Sequence, residues 1–296
     1  MSNNKNEHQP VLIKEVIDHL SPKSGQSYLD LTAGYGGHSQ AVLDITKAPS
    51  EMVLIDRDKQ AVEALNQRFA GTPVQIQHSD YLSALQALNN TDKKFDMILA
   101  DLGVSSPHLD DAKRGFSFKL AGPLDMRMDR TQEKQAEHLV NNLGESQLAD
   151  ILSKYGQEPK ARQIAHAIIS SRPVADTESL AAIIAKTVGW RARRAKTHPA
   201  TKSFQALRIA VNDELEQLEQ ALPLISQILA PGGRMAVISF HSLEDRLVKQ
   251  FLADKAGNRY DSEMTLLTKK PITASRDEIV SNPRARSAKL RAAAKK

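Results

Sequence analysis

The sequence predicts an α/β protein built on a Rossmann-like, doubly wound parallel sheet that is interrupted by an inserted helical domain. Three observations predict it. Apolar runs of strand length alternate with amphipathic stretches as far as Asp101, the first of these runs ends in a glycine-rich turn, and a purely helical pattern then intervenes before a strand signal returns at Arg234.

In chain order, strands are expected at 27 to 31, 52 to 56, 74 to 77 and 95 to 101, with helices at 58 to 69 and 82 to 88 between them. Such βαβ repetition makes neighbouring strands parallel. From 131 to 190 the pattern is helical, with segments at 136 to 140, 147 to 154, 159 to 170 and 179 to 187. The spacing of Leu207, Val211, Leu215 and Leu218 predicts one long helix over 204 to 222, which leads through Pro231-Gly232-Gly233 into a strand at 234 to 240. The expected division is therefore a sheet domain of residues 1 to 110 and 206 to 296, with residues 111 to 205 inserted.

The most informative segment is Tyr28-Leu29-Asp30-Leu31-Thr32-Ala33-Gly34-Tyr35-Gly36-Gly37-His38, followed by Met52-Val53-Leu54-Ile55-Asp56. Glycines without side chains let backbone N–H groups come close to a ligand, and a carboxylate about twenty residues further on sits where a ribose diol would lie. A dinucleotide fingerprint fails here, because counting from Gly34 the third small position falls on Ser39 with His38 before it. The pattern Asp-x-Thr-x-Gly-x-Gly-Gly instead places Asp30 at the end of the first strand, suited to the amino or ribose groups of S-adenosylmethionine and ill suited to a pyrophosphate. This reads as a methyl-donor site. A glycine-rich strand-to-helix turn with no ligand is the competing reading, and Asp56 at the expected separation argues against it.

Composition excludes several classes. The 296 residues are 41% apolar and 25% charged, enough to bury a substantial core. No cysteine is present, which removes disulfides, thiolate nucleophiles and cysteine-based metal sites, and the nine histidines form no metal-spaced pair, so no metal is expected. No apolar run approaches the about eighteen residues of a membrane span, and a cytoplasmic protein is expected. The net charge of +5 is unevenly spread: residues 1 to 104 carry 9 Lys/Arg against 13 Asp/Glu, residues 105 to 205 carry 16 against 11, and residues 206 to 296 carry 15 against 11. Two basic clusters, Arg191, Arg193, Arg194 and Lys196, and Arg284, Arg286, Lys289 and Arg291, read either as solvated faces or as phosphate contacts to a nucleic acid. With 4% aromatics, stacking platforms are few, and Trp190 reads as core in preference to a base-stacking ring.

A second segment, Ala100-Asp101-Leu102-Gly103-Val104-Ser105-Ser106-Pro107-His108-Leu109, leaves the carboxyl end of the fourth strand. In a doubly wound sheet that end shares one crevice with the end of the first strand. Methylating the amine of a base needs a polar acceptor for the exocyclic N–H, a role open to Asp101 or to carbonyls near Ser105 to Pro107. The Ser-Ser-Pro element partly resembles the Pro-Pro-Tyr loops of amino-directed DNA methyltransferases. A turn that caps a helix is the alternative.

Thr32-Ala33-Gly34-Tyr35-Gly36-Gly37-His38-Ser39, Asp101-Leu102-Gly103-Val104-Ser105-Ser106-Pro107, Arg114-Gly115-Phe116-Ser117-Phe118, Gly122-Pro123-Leu124-Asp125-Met126-Arg127-Met128-Asp129, His198-Pro199-Ala200-Thr201, Phe204-Gln205-Ala206-Leu207-Arg208-Ile209 and Ser239-Phe240-His241-Ser242-Leu243-Glu244-Asp245-Arg246 together closely resemble the RsmH (MraW) family. The resemblance runs from His8 to Arg291, nearly the whole chain. It implies a class I S-adenosylmethionine-dependent methyltransferase that modifies the exocyclic N4 of one cytidine in the decoding centre of 16S ribosomal RNA, within the small ribosomal subunit. By position, the family's cofactor contacts fall on Gly36, Gly37, His38, Asp56, Tyr81, Asp101 and His108. Ala33 and Tyr35 stand where the family shows phenylalanine and arginine, Tyr81 replaces a phenylalanine, and His108 occupies a glutamine site. Asp101 is the expected catalytic residue, facing the reaction centre, and the inserted domain is the expected substrate-recognition element. Asp125, Arg127 and Asp129 either shape the cytidine pocket or pair with one another, and the 241 to 246 segment either contacts ligands or is a structural loop. The oligomeric state stays open, a homodimer included.

Overall fold

A computed structural model describes residues 10–119, 121–189, 198–256 and 262–296. Its seven strands are β1 (Tyr28–Asp30), β2 (Met52–Asp56), β3 (Gln75–His78), β4 (Phe95–Asp101), β5 (Leu229–Ser239), β6 (Met264–Leu266) and β7 (Lys289–Lys295), and they lie in one sheet in the order β3-β2-β1-β4-β5-β7-β6. The first five are mutually parallel, while β7 runs antiparallel to β5 and β6. Leu29 in the centre faces Val53 on one side and Ile98 on the other. Successive residues serve opposite layers: Leu29, Val53, Ile55, Ile98 and Val237 enter one apolar cluster, Tyr28, Leu54, Met97, Leu99 and Ile238 the other. A strand buried on both faces has no polar side, which is why these segments read as continuous apolar runs.

The chain forms two compact units, one comprising residues up to Gly103 and from Leu215 onward, the other Val104–Glu214. In the first unit, helices Gly37–Thr46, Lys59–Arg68 and Tyr81–Asn89 follow β1, β2 and β3. Asp58 and Asp80 start the latter two by accepting hydrogen bonds from Gln60 N and Ser83 N, satisfying N–H groups that a helix start leaves without partners. In the second unit, helices Ala136–Asn142, Glu145–Gly156, Ala161–Ser170, Thr177–Val188 and Thr201–Asn212 surround their own core of Leu139, Leu148, Leu152, Ile164, Ile168, Leu180 and Leu207. These units divide outside the expected limits of 111 and 205. Val104 and Leu109 pack on the second core, and Phe204, Ala206, Leu207, Ala210 and Val211 belong to it.

One expected helix is not continuous. The helix expected over 204 to 222 is broken at Asp213, whose φ of 49° places it in the left-handed region, giving Thr201–Asn212 and Glu214–Ile228. Asn212 fixes the break: buried, it accepts from Met128 N at 2.8 Å and donates to Met126 O at 2.8 Å, while Arg208 grips Glu214 through two bonds of 2.7 and 2.8 Å. The basic tail is also a strand, since Lys289–Lys295 forms β7 and Arg291 is buried against Val237. Among the described residues no helix is long and apolar enough to cross a membrane.

Candidate active site

The glycine turn after β1 is closed by the carboxylate at the end of β2. Gly34 N donates to Asp56 Oδ2 at 2.8 Å, and Asp58 N donates to Asp56 Oδ1 at 2.8 Å. A carboxylate offers about four lone pairs, so Asp56 can brace the loop and still accept from a diol. Gly36 has φ 77° and precedes a helix, Gly37–Thr46, that carries no side-chain cap. A Cβ on Gly36 would stand 2.9 Å from the Phe69 ring and 3.0 Å from Leu65, and one on Gly37 would press on Pro10 at 3.1 Å. These glycines therefore serve the fold as well as any ligand, and they leave the first-turn N–H groups of the helix pointing out of the loop.

Asp30 does not face a ligand amine as the motif predicts. It is 1% exposed and its oxygens accept from Tyr28 OH at 2.9 Å, Ser39 Oγ at 2.6 Å and Thr32 N at 3.3 Å. Burial pushes its carboxyl up, against the pull of those donors. Asp30 is thus the internal post on which the loop is hung.

Asp101 ends β4 beside that loop. Its N–H donates to Thr32 Oγ1 at 2.6 Å, its Oδ2 lies 3.8 Å from His38 Nδ1, and its Oδ1 is buried without a hydrogen-bond partner among the described residues. Burial first, then the charges of Asp30 and Glu244, push the Asp101 carboxyl well above the usual carboxylate range. His38 is buried, Nε2 donating to Val11 O at 2.9 Å, and burial lowers its pKa to about 4, so the ring is neutral. Sequence reasoning gave no role to Thr32 or Val11, because their contribution is a contact and not a charge.

Tyr81 opens the helix after β3 and is half-buried against the apolar layer. His108 belongs to the second unit, where its Nδ1 accepts from Ser105 N at 3.3 Å and its ring stacks on Phe116 at 5.1 Å. Asp125 and Arg127 pair with one another through contacts of 2.7 and 3.0 Å, while Asp129 accepts from Thr131. The 241 to 246 segment is in part structural: Glu244 Oε2 accepts from Phe240 N at 2.8 Å and from His241 N at 3.2 Å, a box that starts the helix Ser242–Lys255.

The two expected RNA clusters fare differently. Arg191, Arg193, Arg194 and Lys196, with Trp190, lie outside the described residues. Arg286 is exposed and Arg284 half-buried on the turn Pro283–Ser287. Arg291 does not fit that strip, because it grips Asp245 at 2.7 Å and a buried, paired guanidinium cannot meet a phosphate, whereas Lys289, 3.3 Å from the same carboxylate, keeps 37% of its side chain exposed. Burial alone would raise Asp245, but Arg291 and then Lys289 outweigh it and hold its pKa below the ordinary carboxylate value. A folded-state pKa below the unfolded one contributes stability that is present above pH 3.8 and lost as pH falls through the folded value. Asp245→Asn is therefore expected to flatten the acid limb of the stability curve, measured by urea denaturation between about pH 5 and pH 2.

The parallel five-strand core with a glycine turn at its switch point, extended by an antiparallel seventh strand inserted before the sixth, is the architecture of class I S-adenosylmethionine-dependent methyltransferases. Strand order also separates it from the dinucleotide-binding 3-2-1-4-5-6 arrangement. The sequence matches the MraW methylase family over residues 5–296, and the chain belongs to that family. "Ribosomal RNA small subunit methyltransferase H" of Nostoc punctiforme is 48% identical over 290 residues, covering 97% of this chain and 94% of the relative. The protein of the same name from Koribacter versatilis is 44% identical over 302 residues, covering 98% and 94%. S-adenosylmethionine, the donor of this class, supplies a methyl carbon made electrophilic by its sulfonium. The residues present fit it: an uncapped helix start for a carboxylate, and Asp56 for hydroxyls.

Proposed function

We propose that this protein methylates the exocyclic N4 of one cytidine in the decoding centre of 16S ribosomal RNA, acting on the RNA within the small ribosomal subunit. The names of the relatives support small-subunit ribosomal RNA as the substrate class. The observation that carries the choice of an amine is Asp101 Oδ1, a buried acceptor left without a donor among the described residues at the end of β4. An exocyclic N–H supplies such a donor, and accepting it localises the nitrogen lone pair that would otherwise delocalise into the ring. Methylation at ring carbon 5 of cytosine would need a thiolate to add to the ring, and the chain has no cysteine. Gly36, Gly37, His38, Asp56 and Tyr81 hold the donor in this reading, with Asp101 facing the reacting centre.

Transfer of tritium from labelled donor into 30S particles and into free 16S RNA, followed by nucleoside analysis, tests the proposal. N4-methylcytidine at a single position is expected, and 5-methylcytidine or no incorporation would overturn it. Contacts to phosphate position an enzyme without reading sequence, so Arg284 and Arg286 should act through salt. Arg286→Ala is expected to weaken binding to the particle and to lower the slope of log affinity against log salt by about one.

A further inference from the structure

Resting on the amine-methylation reading above, we propose that Asp101 and His38 form a receptor for a single proton, the one the acceptor amine gives up as it is methylated. The geometry defines the vacancy. Because Nε2 of His38 donates to Val11 O at 2.9 Å, the ring proton sits on Nε2 and Nδ1 carries a lone pair. Nδ1 lies 3.8 Å from Asp101 Oδ2, an acceptor beside an acceptor at a separation longer than a hydrogen bond. One proton on the carboxyl group, with the two side chains closing by about 1 Å, makes this pair an O–H to N hydrogen bond. The other oxygen, Oδ1, is buried and has no partner among the described residues, which leaves it to receive an amine N–H.

The surroundings favour a proton here. The titratable groups acting on Asp101 are Asp30 on β1 and Glu244 on the helix after β5, and Tyr28 on β1 interacts with both Asp30 and Asp101. Both carboxylates repel negative charge, and burial adds to them, so the carboxylate is a stronger base than an exposed one. His38 stays neutral and shares the proton without taking it outright. In the step itself the amine lone pair forms the N–C bond, the S–C bond breaks, and its electron pair stays on sulfur, which becomes a neutral thioether. An N–H bond then breaks with its pair left on nitrogen. The proton passes to the Asp101 carboxylate, and rotation about Cβ–Cγ brings it against Nδ1 of His38.

His38→Gln isolates the claim, since glutamine keeps an N–H within reach of Val11 O and removes the Nδ1 acceptor. The probe is the full-length, ligand-free protein with ¹³C-labelled aspartate carboxyls, titrated by NMR, with Asp101 assigned through Asp101→Asn. A hydrogen bond that stabilises the protonated acid raises its pKa, so the Asp101 midpoint should fall by about one pH unit in His38→Gln. The rising limb of single-turnover methylation at saturating donor should move with it. An unmoved midpoint in a folded His38→Gln protein overturns the proposal. Should that variant not fold, ¹⁵N-histidine spectra of the unmodified protein decide: an unprotonated Nδ1 that gains a hydrogen bond as Asp101 protonates sustains the receptor, and a hydrogen on Nδ1 overturns it. Methylation at an atom other than N4, with these spectra as expected, would sink the cytidine-amine reading and leave the proton receptor standing.

Discussion

Asp101→Ala is expected to slow single-turnover methyl transfer at saturating donor by about 10²- to 10⁴-fold, the range spanned by positioned proton-transfer groups. Tyr81→Ala is expected to weaken donor binding and to leave the saturated rate within about tenfold of the unmodified protein. The difference follows from where each group acts. Tyr81 packs half-buried at the start of its helix, so its loss removes contacts made equally before and during the reaction, and saturation restores the rate. Asp101 holds a buried oxygen with no partner among the described residues, and in the amine reading that oxygen gains its partner as charge develops on the amine. Truncation also removes the acid that Asp30 and Glu244 keep basic. Rapid-quench measurement of both variants checks the ranking, and equal losses at saturation would remove Asp101 from the chemical step.

Much of the sheet was legible because strands buried on both faces have to be apolar. The runs Met52–Asp56 and Phe95–Asp101 satisfy this and appear with the predicted limits. The C-terminal strand was not legible for the opposite reason. Lys-Leu-Arg-Ala-Ala-Ala-Lys holds no β-branched or aromatic residue, and alanine has little intrinsic preference for a strand. It is a strand because Leu290 and Ala292 fill the layer beside Ile238 and Ala236, while Asp245 neutralises Arg291. Those are contacts between residues distant in sequence, invisible to any local pattern. The break at Asp213 is of the same kind, since apolar spacing runs straight through it and only the side chain of Asn212 reveals the turn. At the site, the glycines, Asp56 and Asp101 could be singled out by residue type and spacing and His38 by the family resemblance, whereas the inward turn of Asp30 depends on Tyr28 and Ser39 closing over it.

In the second unit, Gly115→Ala is expected to cost about 4 kcal/mol or more of stability, the size reserved for backbone strain and overpacking acting together. Gly115 has φ 71°, and a Cβ there would run into Pro123 O and come within 2.9 Å of Asp125 N. Neither atom can step aside. Met126 N donates to Arg114 O at 3.0 Å, the buried Arg114 guanidinium donates to Arg127 O at 3.0 Å and Met128 O at 2.9 Å, and Asp125 is held by Arg127. The motif residues Arg114, Gly115, Asp125 and Arg127 are therefore one interlocked turn. Gly71→Ala is the control, because its φ of 76° is as unfavourable to alanine while nothing lies within 4 Å of the added carbon. It should cost only about 1 to 2 kcal/mol, the left-handed penalty alone. Urea denaturation of both variants separates the contributions, with hydrogen exchange locating the Gly115 defect between residues 114 and 128. Equal losses in the two would mean that backbone conformation alone, and not the interlock, selects glycine at 115.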